Sequence, residues 1–152
     1  MIREATQNDI PSIRALMKGE PGFWQENWRA DILERWFEAA ASLAFVYVAG
    51  EDIIGFVYGH DLGFRAYLSE LVVANAHKGK GVGRHLVEHL ESALAVRGCS
   101  VLIVDAWKDA RGFFESLGWT PPDVILLRKN LENKRSQQNP ACDFATCAAP
   151  ED

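Results

Sequence analysis

The hydrophobic positions of this chain follow two periods, and the switches between them mark the predicted elements of secondary structure. IREAT at the start predicts a strand, whereas IPSIRALMKG and FWQENWRADILERWFEAA carry apolar residues at helical spacing and are separated by a Pro-Gly break. Asp9 is the predicted N-cap of the first helix, with Pro11 in its first turn. SLAFVYVAG and DIIGFVYGHD predict a hairpin of β-branched and aromatic residues, and AYLSELVV predicts one more strand.

The second half of the chain alternates helical and strand patterns. A glycine-rich turn leads into GVGRHLVEHLESALAVRG, which has an apolar helical face and a predicted stop at Gly98. SVLIVDAW is a nearly continuous apolar run, which is typical of a strand buried on both faces. KDARGFFESLG predicts a short helix ending at Gly118, and Trp119 and VILLRKNL predict the last strands.

This order of elements predicts an α/β (α+β) fold with a mixed sheet and helices on both faces. The succession of strand, glycine turn, helix and strand makes residues 68–73 and 101–104 parallel neighbours. The hairpin-connected strands should be antiparallel, so most of the sheet is antiparallel. With 152 residues the chain should form one domain over residues 1–131. Residues 132–152 lose periodicity, and a disordered tail is expected there.

Charge and hydropathy exclude several classes of function. The formal net charge of -5 argues against general nucleic-acid binding, which needs a broad basic face. No apolar run approaches the roughly 18 residues of a transmembrane helix. The start MIREATQNDI carries charges where a signal peptide has its apolar core. We therefore expect a cytoplasmic protein that acts on neither membranes nor nucleic acids.

One basic cluster stands out against this acidic background. Lys78, Lys80 and Arg84 lie at the start of a predicted helix, where cations oppose the helix dipole unless an anion offsets them. The glycines within residues 79–83 allow successive N–H groups to point at one anion. Their spacing fits neither the Rossmann G-x-G-x-x-G pattern nor a Walker A loop. A small anionic ligand of another kind is therefore expected at this turn.

The same helix contains HLVEH, which matches the zinc-binding pattern H-x-x-E-H. His89 falls near the edge of the apolar face and Glu88 almost opposite it, so the glutamate would lie in solvent. His60 and His77 remain as third ligands, but neither spacing is diagnostic. We therefore expect no metal and interpret these histidines as surface and boundary residues.

Three stretches together resemble the GNAT superfamily of acyl-CoA-dependent N-acyltransferases. The turn KGKGVG at 78–83 resembles the Q/R-x-x-G-x-G/A loop of that family, with lysine in the first position. The strand SELVV at 69–73 is similar to the strand before that loop, and FFESLGW at 113–119 resembles its F-Y-E-K-L-G-F segment. The resemblance extends in element order from Met1 to about Leu131.

The resemblance implies that acetyl-CoA is the co-substrate and that the turn binds its pyrophosphate. The residues then expected to contact the cofactor are Leu71, Val72, Val73, Lys78, Gly79, Lys80, Gly81, Val82, Gly83, Arg84 and Phe114. It also implies that the two parallel strands splay apart, so that the pantetheine arm pairs with the backbone of residues 71–73. A backbone amide there would polarise the thioester carbonyl.

The implied reaction, direct attack of an acceptor amine on the thioester, needs a base. An alkylamine with a lysine-like pKa is free base in only about 1 molecule in 2,500 at pH 7. Glu70 is the candidate catalytic base, because strand alternation puts it on the face opposite Leu71 and Val73. The alternative is that Glu70 faces solvent or forms a salt bridge.

Two positions depart from the family pattern. Phe114 replaces the tyrosine that often protonates the leaving thiolate, and Trp107 stands where the pattern has asparagine. The acid is therefore open between Tyr58, Tyr67 and a water molecule. These departures also support an alternative function, an acyl-CoA-binding sensor with little turnover.

The acceptor implied by the resemblance is a primary amine of a small molecule or peptide. Family members build an acceptor lid where this chain has GFWQENWRADILERWF, and its tryptophans and carboxylates suit a cationic amine. The alternative is an amphipathic helix whose tryptophans pack on the sheet. The chain is also a candidate homodimer.

Overall fold

The structure, a computed structural model, describes residues 1–129 and 131, and the chain divides into two units. Met1–Thr120 forms one compact unit, and Pro121–Asp152 forms the other. The helices and strands of the first unit are, in chain order, β1 (Ile2–Glu4), α1 (Ile10–Gly19), α2 (Ile32–Ala40), β2 (Ala44–Ala49), β3 (Asp52–Asp61), β4 (Ala66–Val73), α3 (Val82–Val96), β5 (Leu102–Ile103) and α4 (Arg111–Ser116). The described residues of the second unit form neither a helix nor a strand.

The five strands form one mixed sheet in the order β1-β2-β3-β4-β5. Neighbours from β1 to β4 are antiparallel, and β4 and β5 are parallel. The tight turn between β2 and β3 contains Gly50 at φ 64°, a conformation that glycine adopts without strain. The predicted mixed sheet with one parallel pair is confirmed.

Each face of the sheet carries its own hydrophobic core. The α3 core is formed by the buried face of α3 against the sheet, and Leu86 and Leu90 are fully buried in it. The α1/α2 core lies on the other face, where Ile13, Met17 and Leu33 are fully buried. The helices therefore lie on both sides of the sheet, as the sequence predicts.

The α3 helix approaches the sheet closely at a glycine of β3. A Cβ atom added to Gly55 would lie 2.9 Å from both Leu86 Cδ1 and Val82 Cγ1, a separation that real Cβ atoms do not show. Gly55 thus permits the close packing that carries the N-terminal end of α3 to the sheet.

The helix predicted over residues 23–40 is wrong in its first half. α2 begins only at Ile32, and the residues before it form successive turns. The backbone leaves the helical conformation directly after α1, at the extended residue Glu20, and Gly22 is left-handed at φ 76°. Trp24 and Trp28 pack edge to face with ring centroids 5.4 Å apart, so their helical spacing reflects contact across turns.

The strands predicted after α3, SVLIVDAW and the segments from Trp119 to Leu131, also differ from the structure in the described residues. β5 covers only two residues, and Val101 is half exposed, so this segment is not buried on both faces. Residues 119–129 and 131 contain no strand, although VILLRKNL has strand-like composition. The tail predicted over residues 132–152 lies outside the described residues.

Asp9 precedes α1 as predicted, but its carboxylate does not cap that helix. It accepts hydrogen bonds from both terminal nitrogens of Arg3 at 2.8 Å and from the Thr6 N–H at 2.7 Å. These contacts hold the pKa of Asp9 down at about 2, with the Arg3 hydrogen bonds as the main cause.

No helix among the described residues is both long and apolar enough to cross a membrane.

Candidate active site

The parallel strands β4 and β5 are joined over two residues only and separate beyond them. Ala66 pairs with Leu102 and Tyr67 with Ile103, and β4 then continues to Val73. Within residues 1–129 and 131, no strand pairs with this edge of β4 beyond Tyr67. A free strand edge presents main-chain donors and acceptors that an extended ligand can use.

A β-bulge changes the side-chain facing of β4 halfway along. Tyr58 of β3 lies opposite Glu70, but the next pair along β3 skips Ser69 and joins Leu68. Leu68 therefore packs in the α3 core, whereas Val72 packs in the α1/α2 core. Glu70, two residues from Val72, lies on the α1/α2 face.

The bulge places the Glu70 carboxyl in surroundings that oppose its ionisation. Burial and, second, the negative charge of Asp105 raise the pKa of Glu70 to about 7. Asp105 follows two residues after the end of β5, across the gap between the parallel strands. A carboxyl with this pKa is about half ionised at pH 7 and can exchange a proton there.

Tyr58 brings a buried hydroxyl beside Glu70. Tyr58 is 1% exposed, and its hydroxyl has no hydrogen-bond partner among the described residues. Trp36 stacks on the Tyr58 ring at a centroid distance of 5.3 Å, and His60 contacts it edge on at 4.6 Å. Burial and then the charge of Glu70 raise the pKa of Tyr58 to about 12, so the hydroxyl keeps its proton.

Tyr67 and His60 complete the polar surroundings of Glu70. The Tyr67 hydroxyl donates a hydrogen bond to Oδ1 of Asp105, which links the two separating strands. Burial lowers the pKa of His60, so its imidazole is mostly neutral at pH 7. The site thus combines two carboxyl groups with two phenols and a neutral imidazole.

The glycine turn reaches α3 through two left-handed residues. Gly79 has φ 73° and Gly81 has φ 83°, values that strain any residue with a Cβ. α3 starts at Val82, and its N-cap residue, Gly81, has no side chain to accept hydrogen bonds from the first N–H groups of the helix. Those N–H groups lie at the positive end of the helix dipole, which can attract an anion, and the side chains of Lys80 and Arg84 are exposed nearby.

The turn adjoins the free edge of β4. A Cβ atom at Gly83 would lie 3.3 Å from Phe113 Cζ and 3.5 Å from Val73 Cγ2. The first turn of α3 therefore packs against the last residue of β4. An anionic group at the turn and an extended chain along β4 would form one continuous ligand path.

Lys78, the first residue of the turn, is paired with a buried acid. Its Nζ lies 2.5 Å from Glu20 Oε2, and Glu20 Oε1 accepts the Asn75 N–H at 2.7 Å. The Glu20 side chain is 8% exposed, whereas that of Lys78 is 55% exposed. The turn is thereby attached to the residue that follows α1.

Phe114 lies in the α3 core. Its ring packs edge on against Phe113 and Trp119 at centroid distances of 5.0 and 5.1 Å. The Trp119 indole donates to Glu91 Oε1 at 3.0 Å, which holds this aromatic group under α3. A cofactor contact by Phe114 stays a prediction.

The tryptophans of the predicted lid form a continuous aromatic row. Trp24 contacts Trp28, Trp28 contacts Trp36, and Trp36 stacks on Tyr58. All three tryptophans pack against the α1/α2 core and are half-buried. The row therefore leads from the α1–α2 connection through Trp36 to Tyr58 of β3, on the face of the sheet that carries Glu70.

The side chains of HLVEH are dispersed. His85 stacks on Tyr47 and His89 contacts Phe45, while Glu88 is exposed and 4.0 Å from Arg84. In the part of the chain that the structure describes, no three histidine, cysteine or acidic side chains form a group suited to a metal ion.

Neither Glu20 nor Asp105 is among the cofactor-binding or catalytic residues predicted from the sequence. Asp105 is the single acid that follows the apolar run VLIV, and Glu20 is an acid directly before Pro-Gly. Either position could indicate a functional or structural acid, since an acidic side chain next to a buried segment is rarely buried without a hydrogen-bonding or charged partner. The partners themselves, Lys78 and Tyr67, are distant in sequence and required the fold.

Comparison with known proteins gives one family and a set of related folds. The model of the acetyltransferase (GNAT) family matches residues 10–119. A transcriptional regulator from Bacillus halodurans C-125 superposes with a TM-score of 0.72 and 21% identity, covering 86% of this chain and 99% of that chain. An aminoglycoside acetyltransferase from an uncultured soil metagenomic sample, in complex with sisomicin, has a TM-score of 0.70 and 20% identity, covering 87% and 96%.

A third solved structure is Naa20 from Chaetomium thermophilum in complex with a bisubstrate analogue. Its TM-score is 0.66 at 20% identity, covering 77% of this chain and 69% of that chain. At these identities the structural similarity concerns the fold alone.

Proposed function

Because the chain belongs to the acetyltransferase (GNAT) family, we propose that it is an N-acetyltransferase that transfers an acetyl group from acetyl-CoA to a primary amine. The observation that carries the proposal is the free edge of β4, whose last residue, Val73, packs against the first turn of α3 beside the glycine turn. The edge lies beside a carboxyl group, that of Glu70, whose pKa is about 7. Together these features support a cofactor path along β4 with a base at its side.

The residues of the turn suit the pyrophosphate of acetyl-CoA. Backbone N–H groups of residues 79–84 would bind its oxygens. The left-handed conformations of Gly79 and Gly81 at the start of α3 support this assignment. Lys80 and Arg84 would add positive charge at the same end of α3. The pantetheine arm would pair with the free edge of β4 at residues 71–73, as an added strand does.

Glu70 would act as the base toward the acceptor amine. The ammonium form of the acceptor gives a proton to Glu70, directly or through a water molecule. The freed lone pair would then attack the thioester carbon. As the C–S bond breaks, the attacking nitrogen would lose its second proton to water or to the departing thiolate, which gives the amide and free CoA. Main-chain N–H groups on the edge of β4 would stabilise the negative charge that develops on the carbonyl oxygen. When bound, acetyl-CoA supplies the activated acetyl group.

The leaving thiolate does not strictly require a protein acid, since a thiol has a pKa near about 8.5. Phe114 cannot donate a proton, and the Tyr67 hydroxyl already donates to Asp105. Tyr58 keeps its proton and lies beside Glu70, so it can hydrogen-bond to the ionised carboxylate. We therefore assign Tyr58 to stabilising the base form of Glu70.

The acceptor would approach from the α1/α2 face. The aromatic row that ends at Trp36 and Tyr58, and the carboxyl groups of Glu70 and Asp105, suit a cationic aliphatic amine. We propose a small-molecule amine or a peptide amine as the acceptor.

A second candidate function is an acyl-CoA sensor with little turnover, and Phe114 in the tyrosine position favours it. Acceptor-dependent release of the CoA thiol would distinguish the two functions. An enzyme releases thiol only when an amine is added, whereas a sensor binds acetyl-CoA and releases none with any amine of a broad panel.

Thermal unfolding with and without acetyl-CoA tests the proposed site. At 100 times Kd the ligand should add about 2.7 kcal/mol to the free energy of unfolding, and raise Tm by roughly 5–10 °C. Gly81→Glu should abolish the shift, because it adds a negative charge at the turn. Gly50→Glu is the matched control, since Gly50 is also left-handed, at φ 64°, but lies in the β2–β3 turn. Equal shifts in both variants, or none in the wild type at millimolar acetyl-CoA, would contradict the proposal.

A further inference from the structure

We propose that Glu20 is a positioning residue for the cofactor-binding turn, which it fixes by holding the Asn75 N–H and the Lys78 ammonium. The inference rests on the proposed binding of acetyl-CoA at the turn. It assigns Lys78 to the support of the turn and leaves Lys80 and Arg84 to attract the pyrophosphate.

The contacts of Glu20 span more than fifty residues of sequence. Its two carboxylate oxygens have different partners, Oε1 with the Asn75 N–H at 2.7 Å and Oε2 with Lys78 Nζ at 2.5 Å. Asn75 begins the short 3₁₀ turn Asn75–His77 that leads from β4 to the glycines. One carboxylate thus holds both ends of the segment that sets where the glycine turn begins.

Glu20 is itself firmly placed. Its N–H donates to the Met17 carbonyl at 3.4 Å, and its own carbonyl accepts the Phe23 N–H at 3.1 Å. Met17 is fully buried in the α1/α2 core. The core therefore fixes the position of the Glu20 carboxylate, and the carboxylate in turn fixes the position of the turn that it binds.

Lys78 stays paired with Glu20 because the buried carboxylate would otherwise have no compensating charge. A buried carboxylate that loses its cation is left uncompensated at low dielectric, which is strongly unfavourable. If Lys78 moved to a bound phosphate, Glu20 would have no basic partner among the described residues. Lys80 and Arg84 have exposed side chains and can meet the phosphate without that loss.

The test is the Kd for acetyl-CoA, measured by isothermal titration calorimetry well below each variant's Tm. Glu20→Gln keeps an oxygen for the Asn75 N–H but removes the charge that holds Lys78, so Kd should rise about tenfold. Lys78→Met should raise Kd about tenfold as well. The double variant should also be about tenfold weaker, because both changes remove the same interaction.

The opposite result overturns the proposal in a recognisable way. If Lys78 binds the phosphate and Glu20 competes for it, Glu20→Gln releases Lys78 and acetyl-CoA binds more tightly. Additive losses in the double variant would likewise contradict a shared role. A salt series separates the lysines further, because only Lys80→Met should flatten the salt dependence of Kd.

Asp9→Asn is the control for general destabilisation. Asp9 is also a buried acid paired with a basic residue, Arg3, but it lies at the opposite end of α1. Asp9→Asn should lower Tm and leave Kd unchanged. An equal rise in Kd in Asp9→Asn and Glu20→Gln would show that Glu20 acts only through stability. No acetyl-CoA binding by the wild type would contradict the proposed function itself, separately from the role of Glu20.

Discussion

Replacing the candidate base should make the protein more stable at alkaline pH. Burial and the charge of Asp105 raise the pKa of Glu70 from 4.5 to about 7 in the folded chain. Between these two values the folded state binds more protons than the unfolded state, so the free energy of unfolding falls as pH rises. Stability that is present below pH 4.5 is lost as pH rises through about 7. Glu70→Gln carries no titratable group and escapes this loss.

The size of the effect follows from the two pKa values. One pKa unit corresponds to about 1.4 kcal/mol, so ionised Glu70 costs the fold about 3 kcal/mol once the pH is above both values. Between pH 5 and pH 8 the difference between Glu70→Gln and the wild type should grow by about 2.5 kcal/mol. For a chain of this length that corresponds to roughly 8 °C in Tm.

Urea unfolding of both proteins at half-unit steps from pH 5 to pH 8 measures this difference. All other titrating groups are shared, so they cancel when one curve is subtracted from the other. Glu88→Gln is the matched control: Glu88 is exposed on α3, and its curve should run parallel to that of the wild type. A Glu70→Gln curve parallel to the wild type would refute the buried, uncompensated state of Glu70, and with it the physical basis for its role as base.

Three further predictions concern activity, acid stability and packing. Glu70→Gln should lower kcat/KM by roughly 10²–10⁴-fold, whereas retained activity with an unchanged pH profile would exclude Glu70 as the base. Asp9→Asn should lower the free energy of unfolding by about 2 kcal/mol at pH 7, because Arg3 and Thr6 hold the pKa of Asp9 at about 2. This stabilisation is present above pH 4 and should vanish as the pH falls through about 2. Acid-unfolding curves of the variant and the wild type measure it. Gly55→Ala should cost about 1–3 kcal/mol in urea unfolding, since its Cβ would meet Leu86 and Val82 at 2.9 Å, whereas Gly112→Ala has open space and should cost nothing.

Sequence patterns predict the elements that contribute most to the two cores. The helix α3 is predicted by its one apolar face, whereas the hairpin β2–β3 and the strand β4 are buried on both faces and are predicted by their β-branched and aromatic residues. The helix start was misplaced at residues 23–31 because tryptophans in contact across turns mimic helical spacing. The parallel pair was predicted over residues 68–73, yet it forms at Ala66 and Tyr67, because the strands separate where β4 bulges.

The sequence predicts some residues of the candidate site but not the contacts between them. The glycines and Glu70 were identified from the turn and from strand alternation. The bulge at Ser69 could not be predicted, because nothing in SELVV marks a residue that loses its partner in register. The sequence does not mark the partners of the charged groups either. It predicts Lys78 as a cofactor contact, whereas the fold pairs Lys78 with Glu20, 58 residues away in sequence.

Among the described residues Asp9 and Glu20 are buried acids, and Glu70 is a half-buried one. The charges around these three acids differ. Asp9 has Arg3 at 2.8 Å and Glu20 has Lys78 at 2.5 Å, so each is compensated by a cation. Glu70 has no cation within salt-bridge distance among the described residues, and its neighbour Asp105 adds like charge. A residue selected for stability alone would be neutral or paired at such a position. Since the chain provides cations for the other two acids, the unpaired Glu70 supports the proposal of a reaction that needs a carboxylate able to take up a proton near neutral pH.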